Sequence, residues 1–311
     1  MIKKYIPIKD YSNNLVAQYK FEETSGVTCI DSSGKGNNGI YVGTTSVTGE
    51  NGNARSFNNF LSSTSAIDYI NFNNSIIPTG RKTIKFKIKF KDNIEYAPIL
   101  GNLSSSGGVY DKGLGFFIDS NKINVMVRDG SPSCFNFTSS NPINDGLYHQ
   151  VMFTWDGTND NDTIKLFIDD MINPNITTTI QQNEPIYSQN FIIGTRPVKS
   201  YGFKGELDEI EIYNEVVEFA DKRYLLKQNN HYYTIKSDFY KNGNYESIQE
   251  LEGKEILTKT DFETYGIDDL NLLTKNINTQ DIKGTDKGNL GSGKLFEMPF
   301  NNDFMSISEV K

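Results

Sequence analysis

A strict alternation of apolar and charged side chains at residues 83–90 constrains the fold more than any other feature of the sequence. The alternating residues are Ile84, Phe86, Ile88 and Phe90 on one side and Lys85, Lys87 and Lys89 on the other. Because successive side chains of a β-strand point to opposite faces, this segment predicts a strand with an apolar inner face and a solvated lysine face. A looser alternation at residues 15–21 predicts a second strand of the same kind.

Short runs of strand-forming residues continue as far as Tyr213, separated by clusters of Asn, Gly, Ser and Asp. The other predicted strands are 66–72, 98–103, 113–118, 122–128, 134–138, 148–155, 163–168, 190–194 and 204–213. No rhythm of strand, helix and parallel strand is visible, so the pattern favours a two-sheet antiparallel sandwich of jelly-roll type. We therefore predict an all-β fold.

Composition and charge exclude several other classes of protein. A chain of 311 residues with 36% apolar and 12% aromatic residues can bury a core, which argues against disorder. It has no run of 18 uncharged apolar residues, so we expect no membrane insertion. The net charge of -8 argues against nucleic acid as a partner. Cys29 and Cys134 show no metal-like spacing, and we interpret them as unpaired buried thiols.

Changes in composition and in the alternation of apolar residues divide the chain into three parts. Residues 1–13 form a short N-terminal arm, residues 14–228 the jelly-roll domain, and residues 229–311 a small, loosely structured C-terminal extension. Within the domain, a mixed apolar stripe at 216–227 predicts one short closing helix. Because the extension is poor in apolar side chains, we expect it to need a partner and to serve assembly or attachment. No secretory signal is visible at the N-terminus.

Three segments, taken in order, resemble the bacterial laminin-G-like or concanavalin-like jelly roll. They are Leu15–Gly26 continuing into Asp31–Gly39, Gly146–Gly157 followed by Ile164–Asp170, and Ile192–Gly194 followed by Phe203–Asn214. The resemblance covers about residues 14 to 228. It implies a sandwich whose loops bind ligands, in a superfamily that also contains glycosidases. Where the family often has two aromatic residues before its histidine, Leu147 and Tyr148 precede His149 here.

A shorter segment, Phe262–Leu270, resembles a stretch found in tail proteins of phages of Gram-positive bacteria. This resemblance implies a phage virion or tail-like particle as the location, with other tail or baseplate subunits as partners. A secreted or cell-surface protein without a visible signal peptide is the alternative. Since single recognition sites are usually weak, we also expect a homo-oligomer, which would raise avidity.

Candidate catalytic groups are few. Only two histidines exist, and His149 is in phase with three apolar neighbours, which favours a hydrogen-bonded core residue over a catalytic one. Glu209 and Glu211 have the spacing of a glycosidase pair, but Ile210 and Ile212 look like the buried partners, so both acids should face water. We therefore predict no enzyme activity and assign no catalytic residue, with a concanavalin-like glycan hydrolase as an alternative.

Calcium is the metal that the sequence favours, in a structural role. Ca²⁺ takes six to eight oxygen ligands, and the glycine-rich loop 31–39 supplies carboxylates and carbonyls in a compact stretch. The predicted ligands are Glu22, Asp31, Asn37, Asn38 and Asp208. In the resembling family, calcium is held near this place by an acid after the first strand and the Asp of the last strand. The alternative is that Asp31 and the Asn-Asn-Gly stretch only form tight turns.

A sugar site needs an exposed aromatic platform with polar side chains around it, because pyranose C–H faces stack on rings while the hydroxyls seek partners. Trp155 is in phase with core residues, so we look to loops instead. The predicted ligand-binding residues are Tyr110, Tyr187, Arg196, Tyr201 and Phe203. The predicted function is non-catalytic recognition of a cell-surface glycan or protein. A purely structural tail or baseplate component is the alternative.

Overall fold

A computed structural model of the chain describes residues 5–7, 10–50, 52–59, 66–103, 112–130, 135–180, 184–185, 187, 189–199, 201–221, 223–228, 231–236 and 248–250. The elements of the first part are β1 (Tyr5–Pro7), a 3-10 turn (Ser12–Asn14), β2 (Leu15–Tyr19), β3 (Thr28–Cys29), β4 (Gly39–Val42), β5 (Thr45–Thr48), β6 (Asn53–Asn58), β7 (Tyr69–Asn71), β8 (Lys82–Lys89), β9 (Tyr96–Gly101) and β10 (Lys112–Asp119). Those of the second part are β11 (Lys122–Asp129), β12 (Phe135–Thr138), β13 (His149–Trp155), β14 (Ile164–Ile168), β15 (Ile176–Thr178), β16 (Ile192–Ile193), β17 (Lys204–Tyr213), β18 (Phe219–Asp221), β19 (Arg223–Gln228), β20 (His231–Lys236) and β21 (Ile248–Glu250).

The strands of the first compact unit, which includes Pro7–Ala220, form two antiparallel sheets. Sheet 1 has the order β12-β11-β10-β9-β16-β7-β4-β3. Sheet 2 has the order β15-β14-β13-β8-β17-β6-β5, with β2 pairing β17. Strands distant in sequence are neighbours in both sheets, which is the crossing pattern of a jelly roll and confirms the predicted all-β sandwich.

The core lies between the two sheets and is rich in aromatic rings. Phe86 of sheet 2 meets Phe116 of sheet 1 edge to face, with ring centroids 5.6 Å apart. Phe153 approaches the same Phe116 ring to 5.5 Å. Trp155 is fully buried, as its phase predicted. These contacts come from opposite sheets, so they lock the two layers together.

The outer face of sheet 2 differs from the predicted solvated face. Lys85 pairs with Glu211, and Lys87 pairs with both Glu50 and Glu209. The two lysine side chains are only 12% and 7% exposed. Because opposite charges stand across the strands, the alternation encodes a ladder of ion pairs instead of a solvated surface.

The predicted closing helix at 216–227 is wrong. Residues 219–221 and 223–228 are extended as β18 and β19, and β19 pairs with β20 from Arg223↔Lys236 to Gln228↔His231. A hairpin partner so close in sequence satisfies the backbone of 223–228, so the weak helical stripe is overridden. Before these strands, the Val217 amide donates to Thr83 Oγ1 at 2.8 Å, which holds the segment in a non-helical path.

A second compact unit comprises Lys4–Ile6 and Asp221–Lys311. Its described residues include β19, β20 and β21, which form a three-stranded antiparallel sheet. The unit begins before β19, whereas the predicted boundary follows that strand. Phe262–Leu270, which carries the resemblance to phage tail proteins, lies outside the described residues.

Two further observations concern thiols and helices. Cys29 is a buried free thiol, and burial raises its pKa to about 12, while Cys134 lies outside the described residues. Across the residues that the structure describes, no helix has the length and apolar character needed to cross a membrane.

Candidate functional site

Two of the predicted ligand-binding residues meet beside the start of β9 in sheet 1. The Arg196 guanidinium lies 4.8 Å from the centre of the Tyr201 ring and 5.8 Å from that of Tyr96. Tyr96 in turn meets Tyr201 edge to face at 5.5 Å and stacks on Phe117 at 5.5 Å. We call Tyr96, Phe117, Arg196 and Tyr201 the aromatic platform. Cation–π contacts of this kind stabilise the rings and hold the guanidinium in place.

The alternation of the strands places Tyr96 and Phe117 on the outer face of sheet 1, where Phe117 is covered and only 2% exposed. Phe116 and Ile118 point into the core, so Phe117 points to the other face of β10. Tyr96 opens β9 directly opposite Asp119, two residues beyond Phe117. Tyr201 is 38% exposed, so one part of the platform is open to a ligand.

The loop that carries Arg196 and Tyr201 is tightly held. Thr195 and Gly202 form an isolated bridge, and Thr195 Oγ1 donates to the Tyr201 carbonyl at 2.7 Å. Lys199 and Tyr201 both adopt left-handed backbone conformations, with φ of 55°. Non-glycine residues rarely occupy that region without support, and such strain concentrates at binding sites.

Asn59 fixes the base of this loop. Its Nδ2 donates to the carbonyls of Asp68 and Phe203, and its Oδ1 accepts from the amides of Ile67 and Asp68. The side chain is 2% exposed, so these bonds are shielded from water. The platform is therefore pre-organised, which lowers the entropy lost when a ligand binds.

The other three predicted ligand-binding residues do not join the platform. Phe203 is fully buried and packs on Phe57 at 5.8 Å, so its side chain belongs to the core. Phe203 directly precedes β17 and points to the same face as Leu207, which is the core face. Its position in a loop did not indicate this orientation. Tyr187 is 9% exposed and lies 5.8 Å from the Lys82 ammonium, so it is not an exposed platform either. Tyr110 lies outside the described residues.

Tyr96 and Phe117 are not among the predicted ligand-binding residues. Both lie in or beside predicted strands, where an aromatic residue is expected to face the core. The alternation of side chains along a strand could have identified Phe117. Phe117 follows Phe116, and two adjacent aromatic residues on one strand must point to opposite faces.

The predicted calcium ligands fall into two groups of contacts. In the first, Asp31 Oδ1 accepts from the amides of Gln18 and Ser33, and Oδ2 accepts from the amide of Asn37. Asn38 Oδ1 accepts from the Asp31 amide at 2.8 Å. We call this group the Asp31 turn. Burial alone would raise the pKa of Asp31, but the bonds from Ser33, Gln18 and Asn37 outweigh it and hold the pKa below its ordinary value.

The second group, the Asp208 corner, lies beside the loop between β5 and β6. Asp208 is fully buried, its Oδ1 accepts from the Glu209 amide at 2.8 Å, and its Oδ2 has no hydrogen-bond partner. A methyl group on Gly49 would stand 3.1 Å from that oxygen, so the loop backbone passes close by. Burial, then the charge of Glu209, raises the pKa of Asp208 to about 7, and Glu22 contributes in the same direction.

A β-bulge explains where Asp208 points. The pairing of β17 with β8 shifts between Asp208 and Glu211, and Glu209 has φ of 45°. Leu207 and Ile210 both face the core, so Asp208 lies on the opposite face, across from Lys87. Regular alternation would place Asp208 on the same face as Ile210 and Ile212, but the bulge inserts one residue and moves Asp208 to the other face.

The two groups differ in their fit to a cation. Three backbone amides already donate to the Asp31 carboxylate, which has about four acceptor sites, so it is less available to a metal than Asp208. The Asp208 corner has an orphaned buried oxygen, and Glu22, whose Oε2 accepts from the Asn53 amide at 3.0 Å, stands at the same loop. No group of three or more His, Cys, Asp or Glu side chains suited to a metal occurs among the described residues. A calcium ion there would need carbonyl or water oxygens as well, which is ordinary for this ion.

The acids that could serve hydrolysis are tied to lysines. Glu211 accepts from Lys85 Nζ at 2.8 Å and from Gln18 Nε2 at 3.2 Å. Burial alone would raise its pKa, but Lys85 holds the pKa below its ordinary value. Glu209 pairs with Lys87 at 2.9 Å. The prediction that both acids face water holds only in part, since the Glu211 side chain is 15% exposed.

Residues 64–221 match the model of a protein family described as the concanavalin A-like lectin/glucanases superfamily. An uncharacterized protein of Clostridium acetobutylicum is 31% identical over 240 residues, which cover 70% of this chain and 54% of that protein. The chain therefore spans about half the length of this relative.

Solved structures with the same fold include binding domains. Domain 4 of the arabinanase AbnA from Geobacillus stearothermophilus, in complex with arabinotriose, has a TM-score of 0.50 at 16% identity, covering 66% of this chain and 94% of that one. The binding domain of Paraclostridial mosquitocidal protein 1 has a TM-score of 0.50 at 14% identity, covering 82% and 73%. At these identities the likeness establishes the fold.

Proposed function

Because the chain belongs to the concanavalin A-like lectin/glucanases superfamily, we propose that its sandwich is a non-catalytic module that binds a glycan or protein on a cell surface. The observation that carries the proposal is the aromatic platform, with Tyr201 38% exposed beside Arg196. A pyranose ring would stack its C–H face on Tyr201, while the Arg196 guanidinium would donate to ring hydroxyls. A glycan is the ligand class that this pairing favours.

The solved structures that share the fold support a binding role. The arabinanase domain was solved with arabinotriose, and a botulinum neurotoxin type C structure concerns interaction with two ganglioside molecules. The neurotoxin structure has a TM-score of 0.50 at 9% identity, covering 80% of this chain and 64% of that one. Such sandwiches carry ligand-binding loops on a rigid frame, which is how the loop of Arg196 and Tyr201 is built here.

Calcium at the Asp208 corner is part of the proposal. Glu22 and Asp208 would hold the ion, and its charge would compensate the buried carboxylate of Asp208. Asp31, Asn37 and Asn38 would instead shape the neighbouring turn through their backbone bonds. The ion would stiffen the sandwich and take no part in chemistry.

Hydrolysis is the weaker alternative, because glycosidases need one carboxylic acid with a raised pKa to protonate the leaving group. The pKa of Glu211 is lowered and Glu209 is paired with Lys87. Asp208 has a raised pKa, but its side chain is fully buried and cannot reach a glycosidic oxygen. Turnover of a cell-wall or capsular polysaccharide that disappears in Glu209→Gln or Glu211→Gln would favour the enzyme.

We further propose that the module is displayed in several copies on a phage tail or tail-like particle. The support is the resemblance of residues 262–270 to tail proteins of phages of Gram-positive bacteria. Multiple copies would raise avidity for a repetitive cell surface. Light scattering of the full chain should give a mass above that of one chain, and electron microscopy of the native protein should place it on a particle.

The recognition proposal is tested on a glycan array with the full chain, in calcium and in chelator. Tyr201→Ala should weaken binding of any hit about tenfold, which corresponds to about 1.4 kcal/mol. Ile40→Ala is the matched control, since Ile40 is an exposed side chain, at 47%, on strand β4. Equal loss in both variants would contradict the platform. Absence of binding in either buffer would favour the purely structural tail component.

A further inference from the structure

Both ring nitrogens of His149 face carboxylates from two different loops. Nδ1 lies 2.7 Å from Asp169 Oδ2, in the loop after β14, and Nε2 lies 3.1 Å from Asp145 Oδ1, in the loop before β13. The imidazole is 14% exposed. It therefore bridges two surface loops at the start of a central strand of sheet 2.

These two contacts require a charged ring. A neutral imidazole has one N–H and one lone pair, whereas an ionised carboxylate only accepts hydrogen bonds. Both contacts are hydrogen bonds only when His149 is an imidazolium. After loss of a proton, one nitrogen lone pair would stand against a carboxylate oxygen, and that contact must lengthen.

The two carboxylates are not equally fixed. Asp169 Oδ1 accepts from the Gln150 amide at 2.9 Å, and the Asp169 amide donates to the Gln150 carbonyl at 2.8 Å. Asp145 is held by one further bond, from the Leu147 amide to the same Oδ1 at 2.8 Å. Its side chain is also the more exposed, at 52% against 44%. The contact between His149 and Asp145 is therefore the one that we expect to lengthen when His149 loses its proton.

We propose that His149 is a proton-operated clamp, which in its charged form holds the Asp145 carboxylate against the loop after β14 and releases it on deprotonation. Ile143 and Gly146 stay anchored by amide bonds to the carbonyls of Asn121 and Phe90. Leu147, whose side chain is 61% exposed, donates its amide to that carboxylate and moves with it. Opening the clamp thus frees an apolar side chain that the closed form presents in one fixed place. The device is independent of the aromatic platform.

The other charged groups around His149 do not oppose this assignment. Asp170 follows Asp169 and accepts through Oδ1 from the Ile172 amide at 2.9 Å. The lysines of β8 lie on the opposite face, where Lys87 pairs with Glu50 and Lys89 pairs with Glu206.

One more cation and one phenol lie in the loop before β13. Lys91 passes beside Gly146, and Tyr148 donates to Glu206 at 2.6 Å, away from the imidazole. The hydrogen bond that His149 donates to Asp169, then the one that it donates to Asp145, holds the pKa of His149 above its ordinary value. The clamp is therefore closed below that pKa and opens as the pH rises through it.

The test is amide hydrogen exchange and histidine NMR on the full chain with His231→Gln, which leaves one histidine signal. We expect His149 to titrate at a higher pH than an unperturbed histidine. The protection factor of the Leu147 amide should fall about fivefold to tenfold over the same pH range, the loss of roughly one hydrogen bond. The Thr158 amide is the internal control, because it donates to Asp156 Oδ1 at 2.9 Å in the same i+2 arrangement without a histidine.

Two variants sharpen the result. Asp145→Asn should lower the titration midpoint of His149 and remove the step in Leu147 protection, while Asp156→Asn should change neither. The proposal is overturned if Leu147 protection passes smoothly through the titration of His149, or if Thr158 shows the same step. An ordinary or lowered midpoint for His149 would overturn it as well.

Discussion

The Asp31 turn and the Asp208 corner each contain a buried aspartate, yet they have opposite electrostatic character. Asp31 accepts three backbone hydrogen bonds, from Gln18, Ser33 and Asn37, and its pKa is lowered. Asp208 accepts one, from Glu209, and its pKa is raised to about 7. Burial raises the pKa of both carboxylates, but only at Asp31 do enough donors reach the carboxylate to outweigh it, whereas at Asp208 the charge of Glu209 adds to the effect of burial.

The contrast shows what a glycine- and asparagine-rich loop can hide. In loop 31–39 the oxygen-rich composition predicts a cation site, but the chain's own amides take those oxygens. At Asp208 the local sequence is an ordinary strand, and only the bulge and the β5–β6 loop create an oxygen without a partner. We therefore base the calcium proposal on an unsatisfied buried oxygen and not on the density of oxygen-bearing side chains.

The largest expected effect is the pH dependence that Asp208 causes in chelator. The pKa of Asp208 is raised from 3.8 in the unfolded chain to about 7 in the folded chain. The stabilisation that its protonated form provides is therefore complete below pH 3.8 and is lost as the pH rises through about 7. Asp208 alone should then lower the free energy of unfolding by about 4 kcal/mol between these limits. Urea unfolding across this pH range gives the free energy of unfolding of the wild type and of Asp208→Asn, and the difference between them measures the effect. A difference that does not change with pH would contradict the contrast with Asp31.

The next effect is structural and belongs to the turn. Asp31→Ala leaves three backbone amides without their acceptor and should lower the free energy of unfolding by about 3 kcal/mol. Asp31→Asn keeps one acceptor oxygen and should cost less. Urea unfolding at neutral pH checks both, and a change within about 0.5 kcal/mol for the alanine variant would show that the turn does not depend on this carboxylate.

Calcium should act on one group only. At a concentration 100 times its dissociation constant, the ion should raise the free energy of unfolding by about 2.7 kcal/mol. This gain should vanish in Asp208→Asn and persist in Asp31→Asn, as thermal unfolding with and without chelator would reveal. Loss of the gain in Asp31→Asn, with retention in Asp208→Asn, would reverse the assignment.

The smallest expected effect is on calcium binding when a larger side chain is placed beside the Asp208 carboxylate. Gly49→Ala would place a methyl group 3.1 Å from Asp208 Oδ2, and this crowding should reduce the calcium gain by about 1 kcal/mol. Ser46→Ala, on β5 of the same hairpin, is the matched control. An equal reduction in both variants would indicate a general weakening of the hairpin instead of a narrower site.

Much of the sandwich could be predicted from the sequence because its central strands alternate strongly. Strands β8, β10, β11, β13 and β17 lie within one or two residues of their predicted bounds. Strands β4, β5 and β6 are not among the predicted strands, because β5 and β6 are rich in Ser, Thr and Asn, which resemble turns, and β4 has only three apolar residues after the glycine-rich loop. Their pairing comes from sheet neighbours such as β7 and β17, which a local pattern does not contain.

The candidate site was predictable only in part for the same reason. Arg196 and Tyr201 could be proposed from their place in a loop, but Tyr96 and Phe117 join them through strand register. Phe203 was assigned to the same loop, yet it is the residue where the chain turns inward to the core. Distinguishing neighbours such as Tyr201 and Phe203 requires the exposed fraction of each side chain, which sequence position does not give.

The central claim is that the sandwich recognises a glycan without cleaving it. The most direct measurement is a crystal structure of the full chain with an oligosaccharide taken from the array. We expect an uncleaved oligosaccharide with one sugar ring stacked on Tyr201 and a hydroxyl bonded to Arg196. A cleaved product beside Glu209 and Glu211, or a sugar bound elsewhere with the platform empty, would contradict it.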